Sequence, residues 1–270
     1  MTKYQIIAKK YRPQKFEDVV DQGSIATILK NSIRLKRIAH AYLFYGSRGT
    51  GKTTLARLFA KAASCENLTK DIEPCNQCQT CKEITSGHSL DVIEIDGASN
   101  RGIDDIRNLN ETAFYAPSSG KYKVYIIDEV HMLTKEAFNA LLKTLEEPPP
   151  HVIFIFATTE AHKVLPTIIS RCQRFDLKRI SPEKIFLKLK MIGADLQLEV
   201  EEEALHLIAS HAEGSLRDAE SLFDQIICFQ DGLITAQNVI KTLGLVSTEL
   251  FFELDKAANE GNCFFAFELS

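Results

Sequence analysis

The sequence predicts an α/β fold, a parallel sheet covered by helices, followed by a small helical domain. Three observations predict it. The apolar run Ala41-Tyr42-Leu43-Phe44-Tyr45 enters a glycine-rich stretch, Gly46 to Thr53, and then the helix formers Thr54-Leu55-Ala56-Arg57-Leu58-Phe59-Ala60, the order strand, phosphate-binding loop, helix. Strand-like runs then alternate with helical patterns of about ten residues or more as far as residue 179, which implies parallel strands joined by right-handed crossovers. The run Val152-Ile153-Phe154-Ile155-Phe156-Ala157 is almost wholly apolar, as expected of a central strand buried on both faces.

The elements follow in order. Pro13 biases Arg12 toward an extended conformation, so residues 10–21 read as a structured turn. A helix over 23–36 places Ile25, Ile28, Leu29 and Ile33 on one face, by three- and four-residue spacing. The first strand covers about 41–45, and the helix after the loop runs to about 63. Asp91-Val92-Ile93-Glu94-Ile95-Asp96 alternates polar and apolar and predicts a second strand. Ile103, Ile106, Arg107 and Asn110 fit a helix that ends before Ala116-Pro117. A third strand is expected from Tyr122 to Ile127, and a helix over 134–145 is closed by Pro148-Pro149-Pro150, since proline cannot continue it. Helices are then expected from Pro182 to about 192, from the acidic Glu201-Glu202-Glu203, whose charge suits a helix N-terminus, and from Ser215. Residues 1–179 are thus expected to form the α/β domain, with a cysteine module at about 64–84, and 180–243 a three-helix domain. From Ser247, Leu250, Phe251, Leu254 and Ala257 are helically spaced, the expected start of a third, incomplete domain over 244–270.

Composition excludes some classes. The chain has 270 residues, 45% hydrophobic and 25% charged, ordinary for a globular protein with a proper core. No apolar run approaches a membrane span, and the first residues carry no apolar signal region. The chain is therefore expected to stay in the compartment where it is made, with no membrane partner. Net charge is −4, yet residues 1–61 hold 13 Lys/Arg against 3 Asp/Glu, a bias that suits polyphosphate or nucleic acid as well as a solvated surface.

The loop Gly46-Ser47-Arg48-Gly49-Thr50-Gly51-Lys52-Thr53 and the following Thr54 are the candidate triphosphate site. Glycines let backbone N–H groups turn inward at a helix N-terminus, where the dipole favours anions. Lys52 is expected to reach the β- and γ-phosphates and Thr53 to take a place on Mg²⁺. Val124-Tyr125-Ile126-Ile127 ends in Asp128-Glu129, and parallel sheets bind ligands beyond the carboxyl ends of their strands. Asp128 is the candidate magnesium carboxylate and Glu129 the candidate base. Thr158 and Thr159, which finish the buried strand, are candidates for fixing the water or the γ-phosphate. Arg171 and Arg217 are candidates for stabilising the charge that develops on that phosphate.

Seven cysteines in a chain without an export signal read as thiols rather than disulfides. Cys65, Cys75, Cys78 and Cys81 are grouped, and two x2 spacings plus one further thiolate fit a closed tetrahedral Zn²⁺ site. An iron–sulfur cluster uses similar spacing, but a fourth Cys before Pro is absent. Cys172, Cys228 and Cys263 are isolated and read as core or surface thiols.

Taken together, the sequence resembles the bacterial DNA polymerase III gamma/tau subunits, clamp-loader ATPases of the AAA+ superfamily of P-loop NTPases. The residues that carry the resemblance include Tyr11-Arg12-Pro13, His40 to Phe44, the loop Gly46 to Thr53 and the four grouped cysteines. Tyr125 to Leu133, Phe138 to Pro149, Ala157-Thr158-Thr159, Ser170-Arg171-Cys172 and Gly214 to Asp218 complete them. The resemblance spans nearly the whole chain; eukaryotic and archaeal loader subunits are similar but lack the cysteine module. It implies ATP hydrolysis within a DNA-directed DNA polymerase holoenzyme, a nucleotidyltransferase, in the bacterial cytoplasm near the nucleoid. It implies a five-subunit ring with delta, delta-prime and other gamma/tau copies, which opens the sliding clamp and leaves it on primed DNA.

By position, the resemblance makes Lys52 and Thr53 the Walker A pair, and Asp128 and Glu129 the Walker B pair. It makes Thr159 sensor 1, Arg217 sensor 2 and Arg171 the arginine finger acting in a neighbour's site. Tyr11, Arg12, Pro13 and Val20 wrap the adenine, and Cys65, Cys75, Cys78 and Cys81 bind zinc; the implied cofactors are ATP, Mg²⁺ and Zn²⁺. The chain departs from the family pattern at Asp21, where glycine is common, and at Gly97. The competing readings are another AAA+ DNA motor, such as a branch-migration helicase, and a non-hydrolysing or truncated regulatory loader subunit.

Overall fold

A computed structural model describes residues 5–229 and 232–244, together with positions 252, 255, 256 and 259. Five parallel strands form one sheet: β1 Ala41–Gly46, β2 Val92–Asp96, β3 Lys123–Asp128, β4 Val152–Thr158 and β5 Gln173–Leu177. Their order across the sheet is β2-β3-β4-β1-β5, so the strand that feeds the phosphate loop lies between β4 and β5. Every residue of β4 is buried, as its unbroken apolar run requires when helices cover both faces.

The helices of this part are α1 Ile7–Lys10, α2 Gly23–Arg34, α3 Lys52–Ser64, α4 Gln79–Ser86, α5 Ile103–Ala113, α6 Lys135–Glu146 and α7 Pro166–Ile169. On one face α2 and α3 bury Leu29, Leu55 and Phe59 against Tyr42 and Phe44. On the other, α5 and α6 bury Ile106, Phe138 and Leu141 against Tyr125 and Phe154. Each such side chain contributes about 1.5–3 kcal/mol of apolar burial. Asn110 joins the two outer helices, donating to the Ala140 carbonyl at 2.8 Å and accepting from the Thr144 hydroxyl at 2.8 Å.

Beyond β5 the described residues form helices: α8 Pro182–Asp195, α9 Glu202–His211, α10 Leu216–Phe229 and α11 Ala236–Leu243. Four helices therefore replace the expected three over 180–243. The fourth has only eight residues, too short for its periodicity to stand out, although Thr235 and Asn238 form a capping box at its start. Its core, around Leu189, Ile208 and Phe223, also takes in Ile7 and is lined by Tyr11 and Val20. The N-terminal segment thus packs with these helices while preceding the sheet in sequence.

Other differences have local causes. Ile28, expected on the inner face of α2, is 45% exposed, and Ala26 takes that place beside Ile25 and Leu29; at 100° per residue Ile28 falls outside the stripe. The edge strand β5 was not expected: only Phe175 and Leu177 of its five residues point inward. Asp91 precedes β2 instead of opening it. Its buried carboxylate accepts from the backbone N–H groups of Ser118, Ser119 and Gly120 at 2.6–2.8 Å, which hold it below the usual carboxylate range against the opposing effect of burial. Asp21 lies in the left-handed region, φ 60, which explains a preference for glycine there; its carboxylate accepts from Ser181 N at 3.1 Å, at the start of α8. Of the segment expected from Ser247, Leu250, Phe251, Leu254 and Ala257 lie outside the described residues, as does Cys263.

Candidate nucleotide site and cysteine cluster

The loop after β1 places its functional groups at the N-terminus of α3. Gly49 has φ +73, and a Cβ there would lie 1.9 Å from Ser215 Oγ, so glycine permits both the turn and the approach of the residue that leads into α10. Lys52 is buried and donates to the carbonyls of Gly46 at 2.9 Å and Ser47 at 2.8 Å. Burial lowers its pKa, while Glu129 and Asp128 pull it back up. Thr50 closes the loop by donating to the Ser47 carbonyl at 2.9 Å. Ser47 and Arg48 of the loop line a cleft of about 510 Å³ together with His211, Ser215 and Asp218 of the helical part.

The loop and the acidic strand end meet directly. Thr53 Oγ1 donates to Asp128 Oδ2 at 2.7 Å, so the hydroxyl and the carboxylate expected on Mg²⁺ converge on one point. They are hard oxygen donors, the set that magnesium prefers. Glu129 sits in the left-handed region, φ 46, a conformation that costs a non-glycine residue about 1–2 kcal/mol and marks a constrained site. Its backbone N–H donates to Asp128 Oδ1 at 2.9 Å. Thr159 donates to Glu129 Oε2 from both its hydroxyl, at 3.3 Å, and its N–H, at 3.4 Å. Gly97, the departure noted above, donates its N–H to Asp128 O at 2.8 Å, and a Cβ there would lie 2.8 Å from Glu129 O. The end of β2 therefore braces the two acids from below.

Sequence reasoning missed the residues around Glu129. His131 Nδ1 lies 2.8 Å from Thr158 Oγ1 and 3.3 Å from Glu129 Oε2, and its Nε2 lies 3.1 Å from Glu160 Oε2. Thr158, expected as an alternative to Thr159, is fully buried and spends its hydroxyl on His131 and on Glu160 N. The available signal was a histidine two positions after the acidic pair.

The remaining candidates divide into two groups. Burial lowers the pKa of Arg12, a shift to which the like charges of Arg57 and Arg217 add and which Glu94 and Glu220 oppose. Arg57 is itself paired with Glu94, Nε to Oε2 at 2.6 Å and Nη2 to Oε1 at 2.7 Å, so these arginines and acids form one group of mixed charge. Pro13, Thr54 and Arg12 line a second cleft of about 240 Å³ against the outer face of α3. The Tyr11 hydroxyl is bonded to Asp195 of α8, and Val20 lies against the helical core; both join the N-terminal segment to the helical part. Arg171 stands apart: it donates to the Thr167 carbonyl at 2.8 Å and pairs with Glu146 at 2.6 Å, and none of these partners belongs to the phosphate loop.

The four grouped cysteines come together although nine residues, 66–74, separate the first from the second. Their sulfurs lie within 4.8 Å of one another, and Cys75 Sγ is 4.0 Å from Cys81 Sγ. Cys65 caps the C-terminus of α3 and Cys78 the N-terminus of α4. The N–H groups of Gln77 and Cys78 point at the Cys75 sulfur and bring its pKa down to about 6, whereas burial raises Cys65 and Cys81. A compact set of four thiols with a thiolate-stabilising knuckle fits a tetrahedral zinc centre. Cys172 is unrelated: its thiol, pushed up to about 12 by burial, donates to Ile168 O at 3.2 Å.

With this geometry in hand, known proteins are informative. Residues 21–181 match the family of the DNA polymerase III delta subunit, and residues 184–232 match the ATPase lid domain of the DNA polymerase III clamp loader subunit. The DNA polymerase III subunit tau of Bacillus subtilis is 53% identical over 259 residues, 96% of this chain and 46% of that protein. The DNA polymerase III subunit gamma of Buchnera aphidicola (from Acyrthosiphon pisum) is 49% identical over 255 residues, 94% of this chain and 70% of that protein. For subunit tau of Escherichia coli the identity is 49% over 260 residues, 96% of this chain and 40% of that protein. The chain therefore spans about half the length of the tau relatives. Among solved structures, the Thermotoga maritima RuvB Holliday junction branch migration motor superposes with a TM-score of 0.62 at 18% identity, over 87% of this chain and 72% of that one; this likeness speaks to the fold alone. The parallel sheet with its phosphate loop, the helical lid and the extent of the sequence matches together place the chain in the DNA polymerase III gamma/tau clamp-loader family.

Proposed function

We propose that the chain is an ATP-hydrolysing subunit of a bacterial DNA polymerase III clamp loader, which places the sliding clamp on primed DNA. One observation carries the hydrolytic part: Thr53 and Asp128 meet at 2.7 Å with Glu129 alongside, held by Thr159. A module that only bound nucleotide would not need the second acid.

In this reading the loop N–H groups from Gly46 to Thr54 and the Lys52 ammonium hold the phosphates. Tyr11, Arg12, Pro13 and Val20 enclose the base at the junction of sheet and lid. Thr53 and Asp128 hold Mg²⁺, which when bound neutralises charge on the β- and γ-phosphates. Glu129 accepts the proton of the attacking water, and Thr159 keeps its carboxylate aimed. Arg217 joins the lid to the triphosphate, so that lid position follows nucleotide state. Arg171, remote from its own loop, acts in the site of a neighbouring subunit. Cys65, Cys75, Cys78 and Cys81 hold Zn²⁺ in a structural role. The partners are delta, delta-prime and other gamma/tau copies, the clamp and primed DNA, in the cytoplasm near the nucleoid. The α/β part ends near residue 179, the lid near 243, and a collar begins after it.

The test is ATP turnover in a complex reassembled with delta, delta-prime, clamp and primed template. The expected result is turnover stimulated by clamp plus DNA and abolished by Lys52→Ala, with one zinc per chain. Turnover indifferent to Lys52→Ala, or to clamp and DNA, refutes the proposal.

A further inference from the structure

The helix that begins at the phosphate loop ends at the cysteine cluster. α3 starts at Lys52, and its C-cap is Cys65. Near that end, Lys61 is only 3% exposed, and its ammonium donates to Gln14 Oε1 and Asn76 Oδ1, both at 2.8 Å. Asn76 lies between Cys75 and Cys78 in the left-handed region, φ 58, and its amide nitrogen donates back to the Gln14 carbonyl at 3.2 Å. Gln14 in turn donates its side-chain amide to the Arg12 carbonyl at 3.1 Å. Lys61, Gln14 and Asn76 thus form a closed triangle of bonds. A second tie lies beside it: Glu73, 5% exposed, accepts from Phe16 N at 2.7 Å and from Lys30 Nζ at 2.9 Å.

The backbone from Arg12 to Phe16 therefore hangs on residues 73–76. Buried polar groups of this kind are costly unless bonded, so the ties fix where that segment runs. Residues 66–74 contain no helix or strand; one turn, in which Thr69 N donates to Glu73 O at 3.1 Å and Glu73 N to Thr69 Oγ1 at 3.0 Å, and the four gathered sulfurs at its ends give the loop its shape. Metal binding to such a loop is coupled to its folding.

We propose that the cysteine module is a positioning device for nucleotide binding: through Asn76 and Glu73 it holds the Arg12–Phe16 segment against α3, so that affinity for the base depends on the four-cysteine site. This rests on the reading that Tyr11, Arg12 and Pro13 grip the base. Asn76, Glu73 and Lys61 are positioning residues and touch no phosphate. Losing the module therefore weakens recognition of the nucleoside while leaving the phosphate loop intact.

The experiment compares equilibrium binding of ATP and of inorganic tripolyphosphate, each with magnesium, to the 270-residue chain, alongside its zinc content. The variants are Asn76→Gly, which keeps the left-handed backbone, and Glu73→Ala, which leaves the knuckle untouched; zinc-stripped wild type is the third sample. The expected result is ATP affinity weakened about three- to tenfold in each, the scale of one or two lost hydrogen bonds, with tripolyphosphate affinity unchanged and zinc retained in Glu73→Ala. Unchanged ATP affinity in both variants overturns the proposal, and so does a parallel loss for tripolyphosphate, which would signal general loosening. If wild type itself binds tripolyphosphate as tightly as ATP, the base-gripping assignment fails first, a result visible before any variant is made.

Discussion

Replacing Glu220 by glutamine should stabilise the protein at alkaline pH and change little in acid. Glu220 lies one turn after Arg217 on α10 and is 5% exposed. Burial pushes its carboxyl from 4.5 up to about 7, with Lys188 and Arg12 opposing the shift. The folded chain therefore binds this proton more tightly than the unfolded chain does. The associated stability is complete below pH 4.5, falls as the pH rises and is gone above about 7. At about 1.4 kcal/mol per tenfold change in proton affinity, the full loss is about 3 kcal/mol. Glutamine has the shape of the protonated acid and never ionises. Urea unfolding followed by circular dichroism at pH 5 and pH 8 measures the difference. Glu220→Gln should exceed wild type by about 3 kcal/mol at pH 8 and by less than about 1 kcal/mol at pH 5. Curves that run parallel across this range, or a variant less stable at pH 8, would show that Glu220 is ionised comfortably in the fold and refute the reasoning.

Three further outcomes follow from the site. Glu129→Gln should bind ATP with wild-type affinity while steady-state turnover drops about 10²–10⁴-fold, the worth of a general base; loss of binding would reassign the residue. Arg171→Ala should leave its own subunit's ATP affinity intact but slow hydrolysis in mixed rings by about 10³-fold or more, as read by pairing it with subunits disabled by Lys52→Ala; an equal effect in isolated chains would exclude action on a neighbour. Gly49→Ala places a methyl group against Ser215 and forces alanine to φ +73, so ATP binding by calorimetry should weaken about tenfold or more, from about 1–2 kcal/mol of backbone strain plus the clash; unaltered binding would mean the lid does not approach the loop as described.

The sequence makes the sheet legible where packing and pattern agree. The all-buried β4 and the strand–loop–helix around Lys52 could be read directly, because a two-sided core and a phosphate loop each demand a narrow set of residues. The edge strand β5 escaped because one face is open and only Phe175 and Leu177 are apolar there. Asp91 looked like the first polar residue of an alternating strand; its three N–H partners come from residues 118–120, which no local pattern announces. At the site, type and spacing single out Lys52, Thr53, Asp128 and Glu129 as candidates; folding joins Thr53 and Glu129 to Asp128 by hydrogen bonds, while Lys52 bonds the loop carbonyls of Gly46 and Ser47. The assignment of Thr158 to His131 and of Thr159 to Glu129 was not, since adjacent residues on a strand face opposite ways and the sequence does not say which way is the site. The ties from Asn76 and Glu73 to residues 14–16 span about sixty residues of chain and depend on where the cysteine loop folds back.

The account stands most directly on a magnesium-dependent titration of ATP into the wild-type chain and into Lys52→Ala. It predicts saturable binding by wild type, weakened roughly 100-fold in the variant, the scale of charge-assisted bonds to phosphate. Equal binding by the two proteins, or no affinity of wild type for adenine nucleotides, would contradict it.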